Sequence, residues 1–408
     1  MTGALSFRSV YPNLFISYSH SEARHQGEDV ICQQAHIRAT NELAAKIDPL
    51  AKIEPKLVMM FGAPSMFAAG GLVERACKSF PKAITIGCTT AGEITAAGVS
   101  DDTLAVTAMH FEKSMFTTAQ TEVKSMSDSH AAGERLGQML NAPDLKAIFV
   151  LGPGVDVDGS ALIDGIRAAV GKSDVVITGG LAADQGKFQR TFTVLNGKIH
   201  DKNVVAVGFR GDSVRLAFGS MGGWEPFGIS RKVTKAKRNV LYEIDGEPAL
   251  AFYKRLLGKK AEGLPASGLY FPFDVLDAED SPSGIIRTIL GVSELDQSLI
   301  LAGDIEKAKW IRLMRATNDG LERGARTAAV NVKTLAQAKP GVGILISCVG
   351  RKLIMGHMVS REVQAVREVL GHDNLVGFYS NGEICPQQGF QECKLHNQTM
   401  TISYLYEA

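Results

Sequence analysis

Two short stretches combine residue types that could hold a small molecule. Gly87-Cys-Thr-Thr-Ala-Gly-Glu-Ile94 and Gly377-Phe-Tyr-Ser-Asn-Gly-Glu-Ile384 each set a carboxylate directly after a glycine, among hydroxyl groups. Ligands of α/β folds gather where strands end in loops, so a carboxylate there is well placed to meet one. On that ground Cys88, Thr89, Thr90, Gly92, Glu93, Tyr379, Asn381, Gly382 and Glu383 form a candidate ligand-binding set. The competing expectation is structural: each Glu caps a turn or pairs with an arginine, and the glycines supply positive φ or close backbone approach. A second constellation is Cys385, Cys393 and His396, with Cys348 as a fourth member brought near in space. Thiolates and an imidazole can hold zinc tetrahedrally or carry an iron–sulfur cluster. The spacing is loose and lacks a C-x-x-C pair, which favours ordinary buried or reactive cysteines.

Enzyme motifs fail. Gly152-Pro-Gly154 with Gly159-Ser160 lacks the lysine of a phosphate-binding loop, and no G-x-S-x-G or H-E-x-x-H occurs. Asp156 and Asp158 read as helix-start residues rather than a catalytic pair.

The elements that must carry these loops form a weak internal repeat, seen three times. Each unit runs from an apolar strand through a small-residue loop and an amphipathic helix to a second strand and a Gly-containing loop. The copies begin at Leu57–Phe61, Ala147–Leu151 and Gly343–Ile346, and their loops begin at Gly87, Gly179 and Gly377. Long β-type segments follow at Thr103–Phe111, Val204–Val207 and Thr399–Leu405. Continuous apolar strands alternating with helices predict an α/β fold of repeated strand–helix–strand units in mixed sheets. Asn196-Gly197 predicts a hairpin joining Thr191–Leu195 to Val204–Phe209. A boundary is expected near Phe218–Glu225, dividing the chain into domains of residues 13–222 and 223–408. Residues Ala261–Pro282 read as a mobile loop suited to a partner.

Bulk properties narrow the function classes. The chain has 408 residues and a formal net charge of +1, which gives no reason to expect nucleic-acid or membrane binding. The run Arg231, Lys232, Lys235, Lys237, Arg238 reads as a solvated face. No apolar run is long enough to span a bilayer, and the N-terminus does not read as a signal peptide. Six cysteines spread thinly suit a reducing cytosol, so a cytoplasmic location is expected.

Taken together, Gly87–Ile94, the Trp224–Gly228 turn, Val233-Thr234, the Glu243–Leu250 segment with Tyr253, and Gly377–Pro386 with the Leu395–Thr399 string resemble the FIST N and FIST C domain pair. The resemblance spans the chain from about residue 13 onward. It implies a non-enzymatic sensory module of signal transduction that binds a small ligand. The layout is also similar to stand-alone members that bind haem, sense nitric oxide and act on a separate histidine kinase or cyclic-di-GMP enzyme. That branch implies a haem cofactor, for which His200 and His357 are the better-placed axial candidates, and no C-x-x-C-H occurs for covalent attachment. The alternative is a sensor of another small molecule, such as an amino acid. Assembly as a homodimer is carried as an expectation.

Overall fold

The computed structural model describes residues 30–387 and 392–408. The start of the N-terminal domain expected from residue 13 falls outside them. Long apolar runs form the central strands because a strand covered on both faces has no side to give to water.

The first repeat contains β1 (Ile31–Ile37), α1 (Leu43–Ala51), β2 (Leu57–Gly62), α2 (Pro64–Ala68), α3 (Leu72–Lys78) and β3 (Ile84–Thr89). A short hairpin, β4 (Glu93–Thr95) and β5 (Gly98–Ser100), follows, and then β6 (Leu104–His110). The second repeat runs through β7 (Met115–Glu122), α4 (Ser129–Leu140), β8 (Leu145–Gly152), α5 (Gly159–Val170) and β9 (Val176–Leu181). Its hairpin is β10 (Thr193–Leu195) and β11 (Lys198–His200), followed by β12 (Asn203–Arg210). The Asn196-Gly197 turn forms as expected, with φ of 49° and 78°. The strand after it ends at His200, however, and β12 crosses into another sheet.

The third repeat opens with β13 (Val214–Met221) and is interrupted by residues 222–317. This insert holds β14 (Glu225–Pro226), β15 (Arg231–Lys237), β16 (Val240–Ile244), β17 (Glu247–Pro248), α6 (Ala249–Leu257), β18 (Phe273–Ala278), β19 (Ser281–Arg287), β20 (Ile289–Ser293), β21 (Ser298–Leu301) and β22 (Trp310–Arg315). These strands form one nine-stranded sheet with its own apolar core around Leu250, Tyr253 and Phe273. The Ala261–Pro282 stretch is built into 3-10 turns and β18 instead of forming an open loop. The repeat resumes with α7 (Asn318–Leu335), β23 (Val342–Cys348), α8 (Val349–Met355), α9 (Ser360–Leu370), β24 (Leu375–Ser380), hairpin β25 (Gly382–Pro386) and β26 (Cys393–His396), and β27 (Met400–Glu407).

The three repeats build three six-stranded sheets of one topology: β1-β6-β2-β3-β10-β11, β7-β12-β8-β9-β25-β26 and β13-β27-β23-β24-β4-β5. Each repeat supplies four strands to its own sheet and sends its hairpin to the edge of a neighbour's. The exchange is cyclic, and it carries strands across the boundary drawn at residue 222. One face of every sheet meets in a shared core that includes Phe61, Phe149 and Phe378. The other face of each packs against its own helices. Among the described residues, no helix is long and apolar enough to cross a membrane.

Candidate functional site

The aligned glycines have a steric cause. A Cβ on Gly87, Gly179 or Gly377 would lie 1.9 Å from Met60 O, 1.8 Å from Val150 O or 1.8 Å from Leu345 O. In each repeat the second strand passes so close to the first that no side chain fits at this position.

Beyond these glycines the loops meet one another. Ala91 N donates to Tyr379 O at 2.8 Å, Ala183 N to Thr89 O at 2.8 Å, and Asn381 N to Leu181 O at 3.2 Å. The donors occupy one repeat position and the acceptors another, so the three bonds close a ring. The three glycine loops therefore converge, but they fill their own meeting point. Cys88, Thr89, Thr90, Glu93, Tyr379, Gly382 and Glu383 are all buried, as is Gly92, and Asn381 is partly so.

Glu93 and Glu383 make matching contacts. Glu93 accepts from Thr90 Oγ1 at 2.6 Å, Thr103 Oγ1 at 2.6 Å and Thr103 N at 3.3 Å. Glu383 accepts from Ser380 Oγ at 2.7 Å, Thr399 Oγ1 at 2.9 Å and Thr399 N at 3.2 Å. Each carboxyl staples its loop to the start of the strand that follows the hairpin. Burial pushes their pKa up, to about 7 for Glu93 and about 8 for Glu383. In the second repeat Gln185 and Asn203 stand where the other two have Glu and Thr. That loop is held by Asp184, which accepts from the backbone N of Phe188, Gln189 and Arg190 at 2.7–3.0 Å.

Sequence reasoning missed a second buried network. Glu362 and Arg351 have fully buried side chains and pair at 2.7 Å. Glu362 also accepts from Ser347 Oγ at 2.9 Å and from the Tyr379 hydroxyl at 2.5 Å. Arg351 donates to the carbonyls of Leu321, Gly222 and Gln398. Tyr379, expected to face a ligand, instead spends its hydroxyl on this pair. The 11-residue separation is invisible to a helical i,i+4 search, because the two residues lie on successive helices, α8 and α9.

The proposed metal ligands do not assemble. Among the described residues, no three His, Cys, Asp or Glu side chains are grouped to hold a metal ion. Cys393 packs in the outer core beside α5, Cys385 Sγ lies 3.8 Å from Gly219 O, and Cys348 is the residue before α8. Burial raises all three thiols far above their usual range. Their separation follows from strand register: Cys385 faces Lys394 across the β25–β26 hairpin, while Cys393 faces Pro386. Neither haem candidate lies in the core. His357 is exposed, and His200 is partly buried on the outermost strand of the first sheet, its Nε2 buried without a hydrogen-bond partner among the described residues.

An open site lies instead where the insert meets the third repeat. A cavity of about 470 Å³ is bordered by Ser220, Trp224, Asp274, Ser283, Arg312, His396 and Thr399, among others. Trp224 Nε1 donates to Gln398 O at 2.8 Å, which fixes the indole in the wall. Arg312 pairs with Asp274 at 3.0 Å, both sheltered from solvent, and its Nε is buried with no partner among the described residues. His396 Nε2 lies 3.0 Å from Cys385 O. A carbonyl can only accept, so Nε2 carries the proton and Nδ1 is a bare acceptor, also buried without a partner among the described residues. Burial lowers the His396 pKa to about 4, which keeps the ring neutral. One donor and one acceptor therefore remain unused in residues lining the same cavity.

Residues 56–247 match the FIST N domain and residues 249–386 match the FIST C domain. An uncharacterized protein of Methanocaldococcus jannaschii is 25% identical over 260 residues, covering 57% of this chain and 49% of its own length. An uncharacterized protein of Mycobacterium bovis is 23% identical over 243 residues, 58% of each chain. The alignments thus span about half of these relatives. A cyanuric acid hydrolase from A. caulinodans has a crystal structure covering 93% of this chain and 99% of its own, at 7% identity and a TM-score of 0.34. A likeness that shallow assigns no activity. FIST domains are associated with sensing small ligands in signalling proteins, and on the two matched segments this chain belongs to the FIST family.

Proposed function

We propose that this protein is a non-enzymatic cytoplasmic sensor that takes a small polar molecule into the cavity between insert and third repeat. The observation that carries this reading is the unused pair of polar atoms, Arg312 Nε and His396 Nδ1, in walls drawn from both matched segments. Buried polar groups ordinarily find partners, and a ligand offering an acceptor and a donor would supply them. Ser220 to Pro226 come from the FIST N match, and Asp274 to Met314 from the FIST C match. A molecule bound here therefore bridges the two. A ligand signals only by favouring one arrangement over another. The mobile element in this reading is the Gly222–Trp224 turn, because Gly222 O is also bonded by Arg351. Through Arg351, Glu362 and Tyr379, a shift of that turn reaches the ring of core loops. The output is read by a separate protein, a histidine kinase or a cyclic-di-GMP enzyme.

The chain has two tryptophans, Trp224 and Trp310. In a Trp310→Phe variant, the ligand of this cavity should raise the melting temperature and shift Trp224 emission, and His396→Leu should weaken its binding. The assignment is refuted if every ligand that stabilises the protein leaves Trp224 emission unchanged and binds His396→Leu as tightly as the wild type.

A second reading is haem-based nitric oxide sensing. His200, with an Nε2 that no group among the described residues uses, is the residue that would hold the iron. A haem would supply an iron atom able to bind the gas. Hemin titration should then produce a Soret band that His200→Ala abolishes; a featureless spectrum rejects it.

A further inference from the structure

A second cavity of about 470 Å³ lies across Ser283 and Gln387, which border both. Its walls come from the start of α5, the β18–β19 hairpin, residues 304–309 and β26. Arg287, at the end of β19, lines it while only 5% exposed. The guanidinium is fixed by backbone alone. Nε donates to Asp304 O at 2.8 Å, and Nη1 donates to Ile286 O and Leu395 O at 3.2 Å. Gly303 lies against it, and a Cβ there would be 2.9 Å from Cζ and Nε, so the space is kept free for the cation.

Among the described residues, Arg287 forms no ion pair, and Nη2 donates no hydrogen bond. Burial lowers its pKa to about 10, which leaves it charged at neutral pH. The other ionisable residues on the wall are Lys307, Lys309 and Lys394 against Asp164, Asp277, Asp304 and Glu392. Two of the acids are engaged: Glu392 with Arg167 and Lys394, each at 2.7 Å, and Asp304 with Glu306 N at 2.7 Å. Ile163, Leu276, Ile285 and Leu395 give the remaining wall an apolar face. Asp304 and Asp158 attract the guanidinium from a distance, but among the described residues no carboxylate bonds it. A buried guanidinium without a bonded counter-ion favours an anion that joins it.

We propose that this cavity is an oxyanion site. It takes a small organic acid whose carboxylate or phosphate group accepts from Arg287 Nη2 and whose apolar body rests against Ile163, Leu276 and Ile285. The site stands apart from the cavity assigned to sensing and does not depend on that assignment.

The test is a thermal-shift and calorimetric titration of the full chain with hexanoate, hexanamide and inorganic phosphate. Hexanoate should stabilise the protein in a saturable way and bind at least about tenfold more tightly than the isosteric amide. Saturable stabilisation by phosphate alone would equally support an oxyanion site and make phosphate its occupant. Arg287→Gln should lose the effect and Arg287→Lys should keep part of it. Should Arg287→Gln fail to fold, Ala308→Phe, which places a bulky ring on the cavity wall while keeping Arg287, should abolish binding. Equal binding of acid and amide, retention of hexanoate binding in Ala308→Phe, or no response to either anion would overturn the proposal. His396→Leu and Trp224 emission should not respond to hexanoate, which separates this site from the sensing cavity.

Discussion

Replacing Glu383 with Gln tests whether the third repeat is stapled by a protonated carboxyl. Ser380 Oγ has one proton and two acceptors in range, Glu383 Oε1 at 2.7 Å and Ser347 O at 3.3 Å. A proton on Glu383 resolves that competition, and burial favours it by pushing the pKa from 4.5 to about 8. A carboxyl with a raised folded pKa binds its proton more tightly in the native state. The native state therefore loses stability as pH rises from the unfolded value toward the folded one. The slope is at most about 1.4 kcal/mol per pH unit for one group. Glu93 acts in the same direction but is already half titrated at its pKa of about 7, so it contributes less above that pH. His396 acts oppositely: its pKa, lowered from 6.5 to about 4, makes stability fall as pH drops through that interval and masks the carboxyls there. Glu383 is thus best isolated between pH 7 and 8, where its deprotonation should remove about 1 kcal/mol. Urea midpoints followed by circular dichroism at fixed ionic strength should show that loss in the wild type. The Glu383→Gln variant, whose amide mimics the protonated acid, should lose most of that slope over the same interval, keeping only the smaller share due to Glu93. An unchanged slope in the variant would refute the reasoning. So would a variant more than about 2 kcal/mol less stable at pH 8, the behaviour expected of a lost ionised anchor.

Three further outcomes are expected. Arg351→Met leaves Glu362 charged and buried without its counter-ion, so it should cost about 3–5 kcal/mol, read as a lowered melting temperature, with Arg351→Met/Glu362→Leu recovering part of the loss. Gly377→Ala drives a methyl into Leu345 O and should destabilise by at least the upper end of the ~1–3 kcal/mol usual for overpacking, measured by urea unfolding. Five of the six cysteines are buried and burial pushes even the partly exposed Cys32 up to about 12. A thiol reagent at neutral pH should therefore leave the native protein essentially unlabelled and label it fully in urea.

Much of the scaffold was legible because its signals are local. Apolar runs ended by glycine marked the buried strands, and the match of Gly87–Ile94 with Gly377–Ile384 marked the repeat. Asp158 caps α5 through Ala161 N at 3.0 Å, as its helix-start position suggested. The hairpin exchange was not legible, because strands of three to five residues carry too little pattern to name a partner sheet. The loop residues were found by sequence, yet their chemistry turned inward, since glycine and hydroxyl groups serve close packing as readily as ligand contact. The two cavities were missed for a different reason. Arg287, Arg312 and Trp224 lie on separate elements of the insert or its flanking turn and share no spacing. Only His396 and the cysteine series drew attention to that neighbourhood.

The cyclic loan of hairpins has a consequence for how the chain is made. The first sheet has all its strands once residue 200 has left the ribosome, but the second waits for β25 and β26, the latter ending at His396. Until then the edge of β9 is unpaired on a nascent chain, a template for wrong partners. A polypeptide split between the two matched segments should therefore give halves that are poor on their own. The first lacks an edge for its second sheet, and the second lacks β4, β5 and β13. Co-expressed, each half carries what the other is missing.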